Sequence, residues 1–316
     1  MLDYIVKRFA FTIISVILTT FIVFGLVRII PGDAAQVVQG QLLTSPAQLK
    51  AARHDLRLDR PWYTEYFRWL GHVVTGDLGT SFYSKRPVMD TIKQALPVSI
   101  ELALLSMAIA TLIAVPCGIV SAARQESLLD YAVRLFSVAG LSVPSFFIAE
   151  LFIALPAIWF KWAPPGRGYV PFVHDPWVNF QQFFLPSIAI GLAFSASLMR
   201  FIRSSMLDVL RQDYIRTARA KGLRELSVVM RHALRNALIP VVTLFGIQLG
   251  LILGGTVIIE LIFRLPGLGQ YTFNAITQRD YPMLQGIVLI FAVGFLLINL
   301  VVDLSYGYLD PRIRYA

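Results

Sequence analysis

Four side chains able to handle a polar or charged cargo stand inside otherwise apolar stretches: Glu101, Glu150, Gln248 and Asn299. An ionisable group in hydrocarbon is costly, so it marks a pathway, a proton relay or a polar contact between helices. Glu150 sits about midway through the run 131–160. A carboxylate there could meet a translocating amino group or hydrogen-bond a neighbouring helix. Gln248 and Asn299 join it as pathway candidates. Glu101 and Arg28 lie near the ends of their runs, where anchoring at the membrane interface is the simpler role. A different chemistry, recognition of a soluble partner, is suggested by DYIRTARAKG at 213–222, a short basic segment between two long apolar runs.

Several other chemistries lack their residues. The single cysteine, Cys117, permits no internal disulfide and no multi-cysteine metal site. His54, His72, His174 and His232 form no ligand-spaced pair, so no metal site is expected. No G-x-x-x-x-G-K-[ST] occurs, so the chain is not expected to bind ATP through a P-loop. No Ser/His or paired-Asp constellation supports an intramembrane enzyme. The net charge of +9 comes without a nucleic-acid readout motif.

The elements that must position these residues are membrane helices. Hydrophobic residues make up 56% of the 316 and charged residues only 15%. The apolar runs are about 17–25 residues long, enough to cross roughly 30 Å of hydrocarbon as helix and too long for barrel strands. Six spans are expected, within 9–27, 100–123, 131–160, 183–199, 237–259 and 286–302. The third contains Pro144 and Pro156. The fifth carries Gly246, Gly250, Gly254 and Gly255, small residues that allow close helix approach. Three parts follow: 1–30, an N-terminus and first span; 31–97, a polar insertion with short helices expected at 46–56 and 62–74; and 98–316, a five-helix core with a polar loop at 203–236. The insertion is expected to be an extracytoplasmic subdomain that braces a partner, and the alternative role for its aromatic run at 62–69 is to make its own small core. The apolar run at 9–27 is too long for a cleaved signal core.

Charge sets the expected orientation. The loop 200–236 holds nine Lys or Arg against three acids, whereas 161–182 and 263–282 hold two basic residues each. Positive charge is retained in the cytoplasm, so both termini and the basic loop are placed there.

Within that loop, Asp213 reads as an N-cap, 214–221 as a helix of two turns, and Gly222 as the residue that ends it. Lys221 complements the helix dipole. A second helix follows, with Leu226, Val229, Met230, Ala233 and Ala237 on one face. An isolated two-turn helix is unstable in water, so something must hold it. Either it rests on its own bundle, or it docks a soluble partner through Tyr214, Ile215 and Ala218, with Arg216, Arg219 and Lys221 steering an acidic groove. After the fifth span, Leu265, Pro266, Gly267, Leu268 and Gly269 suit either a loop reaching toward an external binding protein or a turn packed in the bundle.

DYIRTARAKG followed by RHALRNALIP resembles the cytoplasmic EAA loop of ABC-importer permeases, in the dipeptide/oligopeptide/nickel branch. Arg216, Thr217 and Ala218 occupy the EAA positions and Gly222 the glycine; Arg replaces the usual Glu. MLDYIVKRF, RIIPGD, GDLGTSF, LPVSIELALLSMAIA, TVIIELIFRLPGLGQ, RDYPMLQG and DLSYGYLDPRIRY extend the likeness over nearly the whole chain. The insertion after the first span is similar to that of the branch's B-type membrane subunit. The resemblance implies an all-α, six-span type I ABC importer permease, not itself an enzyme, in the cytoplasmic (inner) membrane of a bacterium or archaeon. It implies a second homologous permease, two cytoplasmic ATPases that hold the ATP and Mg, and an extracytoplasmic substrate-binding protein. No cofactor would be bound by this chain. Asp213, Tyr214, Ile215, Arg216, Thr217, Ala218, Arg219, Lys221, Gly222 and Leu223 would form the ATPase-coupling segment. Di- or oligopeptides are the expected cargo, with glutathione, nickel chelates and oligosaccharides also handled in the branch. The alternative from another class is a secondary transporter or channel working alone, but no repeat between the two halves of the chain supports it.

Overall fold

Backbone N–H and C=O groups in hydrocarbon find partners only within their own helix, and the apolar runs fold accordingly. The computed structural model describes residues 2–29, 50, 54, 59–166 and 168–309. The order is α1 (Leu2–Ile29), α2 (Trp62–Val74), α3 (Val88–Ala123), α4 (Leu128–Ser142), α5 (Ser145–Phe160), α6 (Pro176–Leu210), α7 (Asp213–Ala220), α8 (Glu225–Ser227), a π-helical turn (Val228–Ala233), α9 (Leu234–Gly255), α10 (Val257–Phe263), α11 (Leu268–Thr277) and α12 (Tyr281–Leu309). Among the described residues, five stretches are long and apolar enough to cross a membrane, and the α4–α5 pair makes a sixth if counted as one.

That pair departs from a simple span. Its two halves are bent by 91°. Pro144 causes the break: a proline disfavours helical backbone at the residue before it, and Val143 is extended (φ −97°, ψ 119°). Pro156, by contrast, sits within α5.

The core lies between α3 and α6, which pack along much of their length with α4 and α9 against α6. Buried Leu102, Met107, Phe183, Met199, Ile202 and Met206 fill it. The glycines of α9 divide into two pairs. Gly246 and Gly250 lie directly against Val302 and Phe295 of α12, where a Cβ would collide. Gly254 and Gly255 face nothing within 4 Å. On its other side α12 packs on α1, where Arg8 pairs with Asp303 at 3.1 Å.

Helix α2 forms where the sequence predicts it, whereas the helix expected at 46–56 lies outside the described residues apart from residues 50 and 54. The aromatic run rests on α1: Tyr66 is buried, meets Phe21 and Phe24 edge to face, and its hydroxyl lies 3.1 Å from that of Thr20. The segment after α2 is tied to a distant part of the chain. Asp280, just before α12, bonds the Ser81 hydroxyl and accepts from Phe82 N–H at 3.0 Å. Helix α3 begins at Val88, well before the apolar run at 100, so the division expected at 97/98 falls within it.

Candidate functional site

Helix α7 is a two-turn amphipathic helix, and its inner face is fixed. Ile215 is fully buried and Ala218 is 7% exposed, both in the main core cluster. For these two residues the first of the two alternatives holds: residues three apart share a face, and here that face is spent on the chain's own bundle. Gln212, not Asp213, holds the N-cap position, without a side-chain bond. Asp213 instead opens the first turn, where its charge favours the helix dipole. At the other end Gly222 has φ +79°, and Leu223 N–H reaches back to Ala218 O at 3.4 Å. This is the left-handed C-terminal stop expected of a glycine.

Tyr214, Arg216, Thr217, Arg219, Lys221 and Leu223 point outward. The Tyr214 hydroxyl accepts from Asn236 Nδ2 at 2.9 Å, joining α7 to the start of α9. Arg219 grips Glu225 through two bonds of 2.7 and 3.1 Å, closing α7 onto α8. That bond raises the Arg219 pKa above its already high ordinary value, so the guanidinium stays charged.

The helix after α7 also corrects the expected stripe. Val229, Ala233 and Ala237 are buried, as the periodicity predicts, but Leu226 is 75% exposed and Met230 47%. The π-helical turn over Val228–Ala233 explains the difference: it departs from the α-helical repeat on which a single stripe depends. Tyr214, Leu223, Leu226 and Met230 are thus the exposed large apolar side chains of this segment, and Arg216, Arg224 and Arg231 are exposed near them in sequence. No period-3.6 reading signals this, because the π-turn leaves no distinctive residue pattern.

The pathway candidates do not come together in one cluster. Gln248 is 3% exposed, and its Nε2 donates to Ser197 Oγ of α6 at 2.7 Å. It bridges two helices rather than lining an open passage. Asn299 is half-buried in α12. Glu150 is exposed on α5 beside buried Ala149, and no described residue pairs with it. Glu101 is no simple anchor. It accepts from Tyr169 Oη at 2.8 Å and Asn179 Nδ2 at 2.7 Å, fastening the loop before α6 onto α3. Burial first, then the Glu101 carboxylate, pushes the Tyr169 pKa up to about 12. Its hydroxyl therefore keeps the proton it donates.

The segment Leu265, Pro266, Gly267, Leu268 and Gly269 is packed rather than projecting: Leu265 and Leu268 are 3% and 1% exposed, and only Arg264 beside it is exposed. A residue not singled out from the sequence holds it. Glu260 is fully buried and accepts from Ser99 Oγ (2.7 Å), Thr256 Oγ1 (2.8 Å) and Gln270 N–H (3.0 Å), while Leu268 N–H donates to Ser99 Oγ (2.8 Å). The carboxylate thus caps α11. Gly267 and Gly269 are required by its approach, since a Cβ on either would fall within 3 Å of it. A second unforeseen knot lies at the other end of the bundle. Asp130 accepts from Arg203 Nε and Nη2 (2.7 and 2.8 Å), Ser121 Oγ (2.5 Å) and Glu126 N–H (3.0 Å), joining α3, α4 and α6. The signal was present in the sequence as isolated acids beside apolar runs, but their partners are up to 161 residues away.

The comparisons agree with this geometry. Residues 114–315 match the family described as binding-protein-dependent transport system inner membrane component, and 1–103 match its N-terminal family. The chain belongs to this family of ABC-importer permeases. Glutathione transport system permease protein GsiC of Pectobacterium atrosepticum is 40% identical over 315 residues, covering 100% of both chains. GsiC of Escherichia coli (strain K12) is 38% identical over the same extent. In fold, the permease is similar to the MetNI methionine ABC transporter in inward-facing conformations (TM-score 0.56, 14% identity, 70% of this chain and 97% of that one). An amino acid ABC transporter solved with histidines gives TM-score 0.53 at 14% identity, over 69% of this chain and 93% of the other. The permease is therefore a multi-pass inner-membrane transport subunit of type I importer fold. ATP hydrolysis belongs to a separate subunit, and the stand-alone transporter is set aside.

Proposed function

We propose that this permease forms half of the passage of an importer for glutathione or similar short peptides, working with a second permease, two ATPases and a binding protein. The outward face of α7–α8 carries the proposal. Its inner side is locked to the bundle by Ile215, Ala218 and the Tyr214–Asn236 bond. Its outer side offers Leu223, Leu226 and Met230 among arginines to a soluble partner. A rigid lever needs both faces: one to receive force, the other to pass it into α6 and α9. In this orientation both termini and the lever are cytoplasmic, as the basic loop favours. The cargo assignment follows the GsiC relatives, whose names state glutathione transport. The ATP and Mg reside on the ATPases.

Glu150 fits the passage on physical grounds. A mid-span carboxylate facing lipid costs about 2.5–3.5 kcal/mol or more, so its exposed face is turned to water or to another subunit. The deciding experiment reconstitutes the chain with its co-expressed subunits and binding protein in vesicles. Labelled glutathione and dipeptides should accumulate only with ATP and the binding protein. Accumulation without ATP would overturn the assignment; ATP-dependent uptake of another solute class would replace the cargo alone.

A further inference from the structure

Helices α4 and α6 enclose a cavity of about 400 Å³ that the transport reading does not use. Its walls are Val133, Arg134, Ser137, Val138 and Leu141 from α4, and Met199, Arg200 and Arg203 from α6. The three guanidiniums are not equivalent. Arg203 is consumed by the bidentate bond to Asp130, whose oxygens are filled by Arg203, Ser121 and Glu126 N–H. Arg134 and Arg200 are exposed and make no ion pair among the described residues. Arg134 is steadied over the Tyr131 ring at 5.6 Å. Two exposed guanidiniums without an ion pair among the described residues, one from each helix, therefore line the cavity.

Its polarity is ordered from one end of the bundle inward. The start of α4 lies beside the last part of α6, as the Arg203–Asp130 and Ser137–Met199 bonds show. Moving inward from that end, α4 contributes Arg134, then Ser137 and Val138, then Leu141, while α6 contributes Arg203, Arg200 and then Met199. The charged side chains lie toward that end and the apolar ones farther from it. Ser137 spends its hydroxyl on Val133 O and Met199 Sδ, leaving the inner wall without a free donor. An anion from solution would use only the outer part. A phosphate joined to acyl chains would use the whole.

We propose that this cavity is a binding site for an acidic phospholipid of the adjoining leaflet, its phosphate between Arg134 and Arg200 and an acyl chain along Val138 and Leu141. The leaflet is cytoplasmic in the orientation proposed above, but the polarity argument holds in either orientation. Basic pockets between membrane helices bind such headgroups through the same chemistry. The site abuts the Asp130–Arg203 knot, so a bound lipid would stiffen the base of α4.

The test uses the full chain, with whatever subunits accompany it, in phosphatidylcholine nanodiscs containing phosphatidylglycerol, with native mass spectrometry reading retained lipid. Arg134→Gln with Arg200→Gln should weaken phosphatidylglycerol retention about thirty-fold, since each basic group near an anionic surface is worth about five-fold. Leu141→Trp, which fills the inner wall and keeps both charges, should also lower it. Arg124→Gln with Arg211→Gln, which removes two other exposed charges at the same face, should not. Inorganic phosphate should not displace the lipid. Equal loss in the control pair, displacement by phosphate, or unchanged retention in the double variant would each overturn the site.

Discussion

Glu150 and Glu260 show how differently one side-chain type behaves within a single chain. Glu260 is fully buried and saturated by two hydroxyls and the N-terminus of α11, so it works as a structural clasp. Glu150 is exposed and has no partner among the described residues. Only the second retains an unused charge to offer a cargo ammonium. Glu150→Gln keeps shape and removes charge. It should raise the KM for peptides with a free amino terminus several-fold while leaving N-acetylated analogues and basal ATP hydrolysis unaltered; competition uptake in vesicles reads both. Equal effects on both substrates would place Glu150 in a helix contact instead.

Among the elements, α7 carries the most consequence for its size. Eight residues cannot hold a helix alone. Burial of Ile215 and Ala218, the left-handed stop at Gly222 and the Arg219–Glu225 clasp hold it together. Gly222→Val leaves space untouched, since nothing lies within 4 Å of its would-be Cβ, but imposes a left-handed backbone on a branched residue. The strain is about 1–2 kcal/mol. We expect the complex to assemble but binding-protein-stimulated ATP hydrolysis to lose its link to uptake; the ratio of solute moved to ATP consumed checks this. The position of this helix was legible from local residues: a polar break, a glycine stop, a basic cluster. Its facing was not. Which side of α7 is buried depends on the π-helical turn that packs on it and on its bond to Asn236 of α9, and the exposure of Leu226 depends on a π-turn without a sequence signature. For the same reason the span at 131–160 was found while its 91° break was not: Pro144 is visible, but Pro156 is equally visible and does not break α5.

At the scale of the whole molecule, polar knots stand at opposite ends of the bundle, with mainly apolar packing between. Ser99, Glu260 and α11 close one end; Asp130, Ser121 and Arg203 close the other. Long-range pairing of this kind is what the sequence conceals, because each partner alone reads as an ordinary Ser or Arg. In the proposed lever, these knots would let a push on α7 move helices as bodies rather than bend them. The α4–α5 pair has few buried residues, Asp130, Ser137 and Ala149, and in the proposed complex the exposed face of α5 would meet a second permease. The central claim is that the outward face of α7–α8 receives the ATPase. Its most direct measurement is gentle extraction of the tagged chain, wild type beside Leu226→Glu, with quantification of the accompanying subunits. Leu226 is 75% exposed, so the change should leave the fold intact. We predict that the wild type brings a second permease and two ATPase chains, and that the variant keeps the permease and loses the ATPases. ATPase retained in full by the variant, with normal uptake, would contradict the account.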